Sequence, residues 1–196
     1  MNQIRVFIAV DLPPAIQESV EKQTASLRRK LGDDLIRWVP AKNMHLTLKF
    51  IGNIAASHLD FLKQMLIQSV NSQRQFDLQI GGIGSFPNLK RPRVLWVGIH
   101  APADLTSLQK NVEAGAVRLG YEKEERGFSP HLTLGRVRQN VSAADLQRIR
   151  SALENTQIGR IGTATIEAVH LYKSDLHTDG SIYTKLLSVP LGNTDR

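Results

Sequence analysis

Residues 45–48 read HLTL, and residues 131–134 read HLTL again, in a chain of 196 residues that is not otherwise repetitive. At ordinary residue frequencies a second identical copy arises by chance on the order of once in a thousand chains of this size. Polar and apolar residues alternate in the motif, the period of a half-buried strand. Successive strand side chains point to opposite faces, so Leu46 and Leu48 bury while His45 and Thr47 share the other face. Leu132, Leu134, His131 and Thr133 divide in the same way. If the two strands face each other, two imidazoles and two hydroxyls surround one space.

Outward from the first copy, Ile4–Val10 reads as a strand, and Pro13-Pro14 opens a helix marked by Ile16, Val20, Leu27 and Leu31. Gly32 is expected to end it. A short strand at Ile36–Val39 leads into a strand at His45–Ile51, after which Ser57 is expected to cap a helix carrying Leu59, Leu62, Leu66 and Val70. Gln75–Ile80 and Arg93–Ile99 read as extended, separated by the turn-rich GGIGSFPNLKRP of residues 81–92.

Around the second copy, Leu105, Leu108, Val112 and Leu119 mark a helix, His131–Val137 a strand, and Ser142 the cap of a helix through Leu146, Ile149 and Leu153. The last extended segments are Thr163–Tyr172 and Ser181–Val189. The class is α+β, built as two rough copies. It contains neither a glycine-rich phosphate loop nor a coiled-coil heptad.

A chain of this length can bury a substantial core without staples. It has no cysteine, which removes disulfides, thiolate nucleophiles and cysteine zinc sites and is compatible with a reducing cytoplasm. Apolar runs such as Val94–Ile99 are strand-sized, far short of the roughly 20 residues of a membrane helix. The opening MNQIRVFIAVDLPP lacks a basic leader region and meets Asp11 directly, so it reads as a first strand rather than a signal peptide. A cytoplasmic monomer without membrane contact is expected. Lys and Arg number 25 against 18 Asp and Glu, a net charge of +7 that favours polyanions, RNA among them. Aromatic residues make up only 6%, so an extended base-stacking surface is not evident.

Two imidazoles and two hydroxyls around one space suit a phosphate ester. An imidazole titrating near 6.5 serves as base in one protonation state and acid in the other. One can take the proton of an attacking water and the other protonate the departing oxygen, while the threonines donate to nonbridging oxygens. No metal or other cofactor is needed for this chemistry. Two alternatives stand beside it: His and Thr that merely decorate an exposed sheet face, and a histidine metal site, for which no carboxylate–histidine motif is present.

These motifs sit within longer ordered blocks: RVFIAVDLPP (5–14), RWVPAKNMHLTLKFIG (37–52), IGSFPNLKRPRVLWVGI (83–99), FSPHLTLGRVR (128–138), LYKSDL (171–176) and the Gly180–Tyr183 segment. Together they resemble the 2H phosphoesterase superfamily, and within it the bacterial and archaeal RNA 2',3'-cyclic phosphodiesterases, also described as 2'-5' RNA ligases. The resemblance implies one two-lobed domain over residues 1–196, with two pseudo-two-fold related sheet lobes, flanking helices and a central basic cleft. It implies His45 as general acid toward O3', His131 as general base for water, and Thr47, Thr133 and Arg136 as phosphate-binding residues. The implied substrate is RNA ending in a 2',3'-cyclic phosphate, with tRNA fragments and small cyclic nucleotides as further candidates. The implied product is a 2'-phosphomonoester, with 2'-5' ligation as the reverse chemistry.

On a regular strand Arg136 has the opposite parity to His131 and would turn away from the cleft, unless a bulge at Gly135 restores its aim. Phe7 reads most simply as a core aromatic, and the resemblance allows it near a base or ribose. Arg126 and Phe128 could contact the RNA end, or form a loop ion pair and a packed aromatic. Pro130 holds Ser129 extended. Arg28, Arg29 and Lys30 suit a helix end, while Lys42, Lys49, Lys90, Arg91, Arg93 and Arg138 are candidates for a rim that tracks RNA. His58, His100, His170 and His177 read as packing or surface residues. A 2H phosphoesterase for small cyclic nucleotides and a noncatalytic RNA-binding protein remain the competing functions.

Overall fold

The computed structural model describes residues 3–177 and 180–193. Nine strands, β1 (Gln3–Asp11), β2 (Ile36–Trp38), β3 (His45–Ala55), β4 (Phe76–Phe86), β5 (Val94–His100), β6 (His131–Val137), β7 (Arg160–Ile166), β8 (Ala168–His177) and β9 (Gly180–Pro190), form two antiparallel sheets. The first runs β3-β1-β8-β9 and the second β2-β6-β5-β4-β7. Helices α2 (Leu59–Val70) and α3 (Ala103–Arg118) pack on the first sheet and α1 (Pro14–Leu35) on the second, with α4 (Ala143–Glu154) packed against α1. Apart from the edge strand β2, the two strand orders match position by position: β3 with β6, β1 with β5, β8 with β4, β9 with β7.

That correspondence carries the two rough copies seen in the sequence, but the lobes are not the two halves of the chain. Strand β4 joins the second sheet, β8 and β9 return to the first, and α1 and α3 each pack on the sheet opposite their preceding strand. Val6, Ile8, Val10, Leu46, Leu62 and Leu105 from the first lobe and Leu27, Leu78, Leu95, Leu132 and Ile149 from the second belong to one continuous core.

Leu46 and Leu48 are 1% and 4% exposed, and Leu132 and Leu134 are both fully buried. Burying a leucine contributes roughly 1.5–3 kcal/mol. A one-residue slip would expose both leucines of a motif at once, so their burial fixes the register and turns His and Thr outward.

Three expectations need correction, and one holds in part. Gly32, with φ 64°, breaks the helix as expected, and one further turn then reaches buried Leu35. The interruption is held by donors from outside the helix: Trp38 Nε1 to the Gly32 carbonyl (3.1 Å) and Arg138 Nε to that of Asp33 (2.7 Å). Ser57 does not cap α2; it lies in a 3₁₀ turn, Ala56–His58, and the helix begins after it without a side-chain cap. Ser142 does cap α4, in a reciprocal box with Asp145. The first half of the turn-rich stretch after Ile80 is strand, because β4 continues through Phe86 and bends at a register shift. Finally, 163–172 is not one strand: the chain changes sheet at Glu167, between β7 and β8.

Candidate active site

Strands β3 and β6 meet between the lobes, bringing the two motifs to one open cleft of about 1360 Å³. Thr47, His131, Thr133 and Arg136 line it, with Arg93, Lys110, Lys123 and Arg126 adding positive charge and Phe50, Phe86 and Phe128 apolar surface. His45 shares the strand face of Thr47, two residues back, and is not itself among the residues lining this cavity; the charge of His131 opposes its protonation. The structure therefore brings together His45, Thr47, His131, Thr133 and Arg136, with Arg126 and Phe128 on the same cleft.

The two histidines are held alike. His45 Nδ1 lies 2.8 Å from the Asn43 carbonyl, and His131 Nδ1 lies 2.7 Å from the Ser129 carbonyl. A carbonyl only accepts, so each Nδ1 carries the proton and donates it. That leaves Nε2 of each ring available for proton transfer. Asn43 is itself tied to β9, its amide donating to the Ser181 carbonyl (3.2 Å).

Their surroundings differ. His45 stacks on Phe7 at 4.8 Å and meets the edge of Tyr183 at 5.2 Å, whereas His131 meets Phe86 edge-on at 4.8 Å. Burial pulls both imidazoles below the ordinary histidine range, and the backbone acceptors partly oppose it. Asp11 also pushes His45 upward, whereas Arg136 pushes His131 further down. Phe7 is only 3% exposed and lies beneath His45, not on the cleft surface. Among the described residues no set of three His, Asp or Glu side chains converges as a metal site.

Arg136 reaches the cleft through a bulge in β6. In the β5–β6 ladder Trp96 pairs with Thr133 and Leu95 with Gly135, leaving Leu134 as the extra residue. The insertion switches parity, so Arg136 returns to the face of His131 and Thr133. Gly135 is required there: a Cβ would sit 2.6 Å from Ile36 Cγ2 and 3.0 Å from the Arg37 carbonyl oxygen. Strand β3 has the same bulge at Leu48, between the pairs Thr47–Ala9 and Lys49–Ile8.

The repeated bulge exposes what the sequence reading missed. Phe50 occupies the position of Arg136, and Lys49 that of Gly135. Lys49 is not a rim residue: it is 6% exposed, and its Nζ donates to Glu113 Oε1 and the Glu122 carbonyl, both at 2.7 Å. Glu113 in turn accepts from the Glu124 amide at 2.9 Å, so this pair anchors the loop that carries Arg126 and Phe128. Phe50 is half-exposed on the cleft with Arg5 over its ring at 4.5 Å. Aligning HLTLKF with HLTLGR reveals these differences. Asp11, Tyr172 and Lys185 meet beside His45 only through long-range pairing, for which no local signal exists.

The other histidines fall outside the cleft. His170 is buried against Asp11 at 3.5 Å, His58 and His100 are exposed, and His177 ends β8.

Comparison with known proteins agrees with this geometry. The chain is 30% identical to an RNA 2',3'-cyclic phosphodiesterase of Methanothermobacter thermautotrophicus over 184 residues, 94% of this chain and 97% of the relative. It is 32% identical to the protein of the same name from Archaeoglobus fulgidus, covering 93% and 98%. The crystal structure of E. coli LigT with 3'-AMP superposes with a TM-score of 0.74 at 28% identity, covering 97% of this chain and 99% of that one. Residues 12–178 match the family described as the 2'-5' RNA ligase superfamily, and with the paired motifs and the two-sheet fold this chain belongs to that superfamily.

Proposed function

We propose that this protein hydrolyses RNA 2',3'-cyclic phosphate ends to 2'-phosphomonoesters without a metal ion. The observation that carries the reading is the matched pair of histidines, each with its Nδ1 proton committed to a backbone carbonyl and its Nε2 left for chemistry. His131 takes a proton from the attacking water as the new P–O bond forms. The bond from phosphorus to O3' breaks, and His45 delivers a proton to that oxygen. Thr47 and Thr133 donate to the nonbridging oxygens, and the Arg136 fork neutralises the charge they accumulate. One water is consumed, and the histidines recover their starting states by exchanging a proton with solvent. When an RNA 5'-hydroxyl replaces water, the same steps form a 2'-5' phosphodiester; water is far more abundant, so hydrolysis dominates.

Cleft size favours RNA over a small cyclic nucleotide. Its volume, about 1360 Å³, exceeds the roughly 300–1,000 Å³ typical of small-molecule sites, and its basic residues extend beyond what one phosphate needs. The test is side-by-side turnover, in EDTA, of a short RNA with a cyclic end and a nucleoside 2',3'-cyclic phosphate. A kcat/KM at least about tenfold higher for the RNA, the value of one additional favourable contact of about 1.4 kcal/mol, is expected. Equal values would move the assignment to small cyclic nucleotides, and turnover of neither would leave an RNA-binding role.

A further inference from the structure

We propose that Asp11, held by Tyr172 and Lys185, is the positioning residue that gives His45 the proton-donating role in the hydrolysis proposed above. The inference rests on that reaction and explains why two nearly identical histidines should divide its labour. Their backbone settings do not distinguish them: both begin a strand, both precede a buried leucine, and both donate Nδ1–H to the carbonyl two residues earlier.

The correspondence between the sheets shows where the equivalence ends. In the β1–β3 ladder the residue opposite His45 is Asp11; in the matching β5–β6 ladder the residue opposite His131 is Gly98. After the shared bulge the relation inverts, with Phe50 in the first lobe and Arg136 in the second. A carboxylate has been added beside one histidine and a guanidinium beside the other, and neither charge has a counterpart across the pseudo-two-fold. The carboxylate favours an imidazolium at His45, ready to donate; the guanidinium favours a neutral imidazole at His131, ready to accept.

Asp11 is built to stay charged. Burial alone would raise its proton affinity, but hydrogen bonds from Tyr172 and Lys185 and the field of His170 overcome it and hold the carboxyl below its ordinary range. The Tyr172 hydroxyl donates to both carboxylate oxygens at 2.7 and 2.8 Å, and Lys185 Nζ to one at 2.9 Å. Tyr172 stacks on Phe7 at 5.3 Å, and Phe7 on His45 at 4.8 Å. One ladder thus fixes both the charge beside the imidazole and the ring that supports it. The groups that face His45 are Asp11, Tyr172, Tyr183 and His131, with His170 and Lys185 acting through Asp11.

A purely structural Asp11, anchoring β9 through Lys185, would give variants weakened evenly at every pH. Charge predicts opposite signs instead. In Asp11→Asn the alkaline limb of kcat/KM on cyclic-ended RNA moves to lower pH, a roughly threefold to tenfold loss at about pH 8 relative to about pH 6 for one partly screened charge. In Lys185→Met, with Asp11 unopposed, that limb moves to higher pH. Because limbs of coupled histidines do not assign themselves, the same variants are titrated with ¹⁵N-labelled histidine: His45 loses proton affinity in Asp11→Asn and gains it in Lys185→Met, and the change at His131 is smaller. Should Asp11→Asn fail to fold, Lys185→Met carries the test alone. An unmoved His45 resonance, or a larger change at His131, overturns the proposal. Absence of RNA turnover by the wild type overturns the reaction assignment separately, because the NMR titration needs no substrate.

Discussion

His45, His131 and His170 are all held below the ordinary histidine value of 6.5, in each case chiefly by burial. Between the folded and unfolded values the unfolded chain binds more protons, so stability rises with pH across that window. These contributions are complete above about 6.5 and shrink as pH falls toward the lower folded values. The urea midpoint should therefore be lower at about pH 5.5 than at about pH 7.5, with a smaller drop in His131→Gln; an unchanged drop in that variant would contradict the burial argument. At this scale the sequence was informative where two identical motifs could be compared. His45, Thr47, His131 and Thr133 were legible because strand parity alone assigns their faces. Asp11 was not, because its partners Tyr172 and Lys185 are brought to it only by the β1–β8 and β8–β9 ladders.

At the scale of elements the decisive feature is a bulge made twice and used differently. In β6 it is followed by Gly135 and aims Arg136 at the cleft; in β3 it is followed by Lys49, which ties β3 to α3 and to the loop before the second motif. Removing one partner of a buried ion pair costs about 3–5 kcal/mol, whereas replacing both with apolar residues is often neutral. Lys49→Met should thus lower unfolding free energy by about 3 kcal/mol, and Lys49→Met with Glu113→Leu should recover most of it. A double variant as unstable as the single would show that the pair itself, rather than the stranded glutamate, sets the cost. The sequence showed that Arg136 needed a bulge, since regular parity turns it away. It carries no such sign for Lys49, whose charge suits a rim position and whose partner Glu113 lies 64 residues away in the chain.

Across the whole molecule, the two copies in the sequence become two sheets that exchange strands and helices. Periodicity reveals the elements but not which sheet a strand joins, so the interleaving of β4, β8 and β9 was not legible from local pattern. Among the described residues no helix is long and apolar enough to cross a membrane. The excess positive charge of +7 gathers in part along the cleft at Arg93, Lys110, Lys123, Arg126 and Arg136. RNA affinity should fall linearly with salt on logarithmic axes, and Arg126→Ala should reduce the slope by about 0.7 if that residue meets one phosphate of a single strand. A salt-independent dissociation constant would rule out backbone contact as the source of affinity.

The most direct test of the two-histidine cleft is the identity of its product. Purified protein in EDTA is incubated with a short RNA ending in a 2',3'-cyclic phosphate, and the 2'- and 3'-monophosphates are separated. The account predicts the 2'-phosphate alone, with His45→Ala and His131→Ala each slower by about 10²–10⁴-fold while remaining folded. A 3'-phosphate product, or turnover unaffected by loss of either histidine, would contradict it.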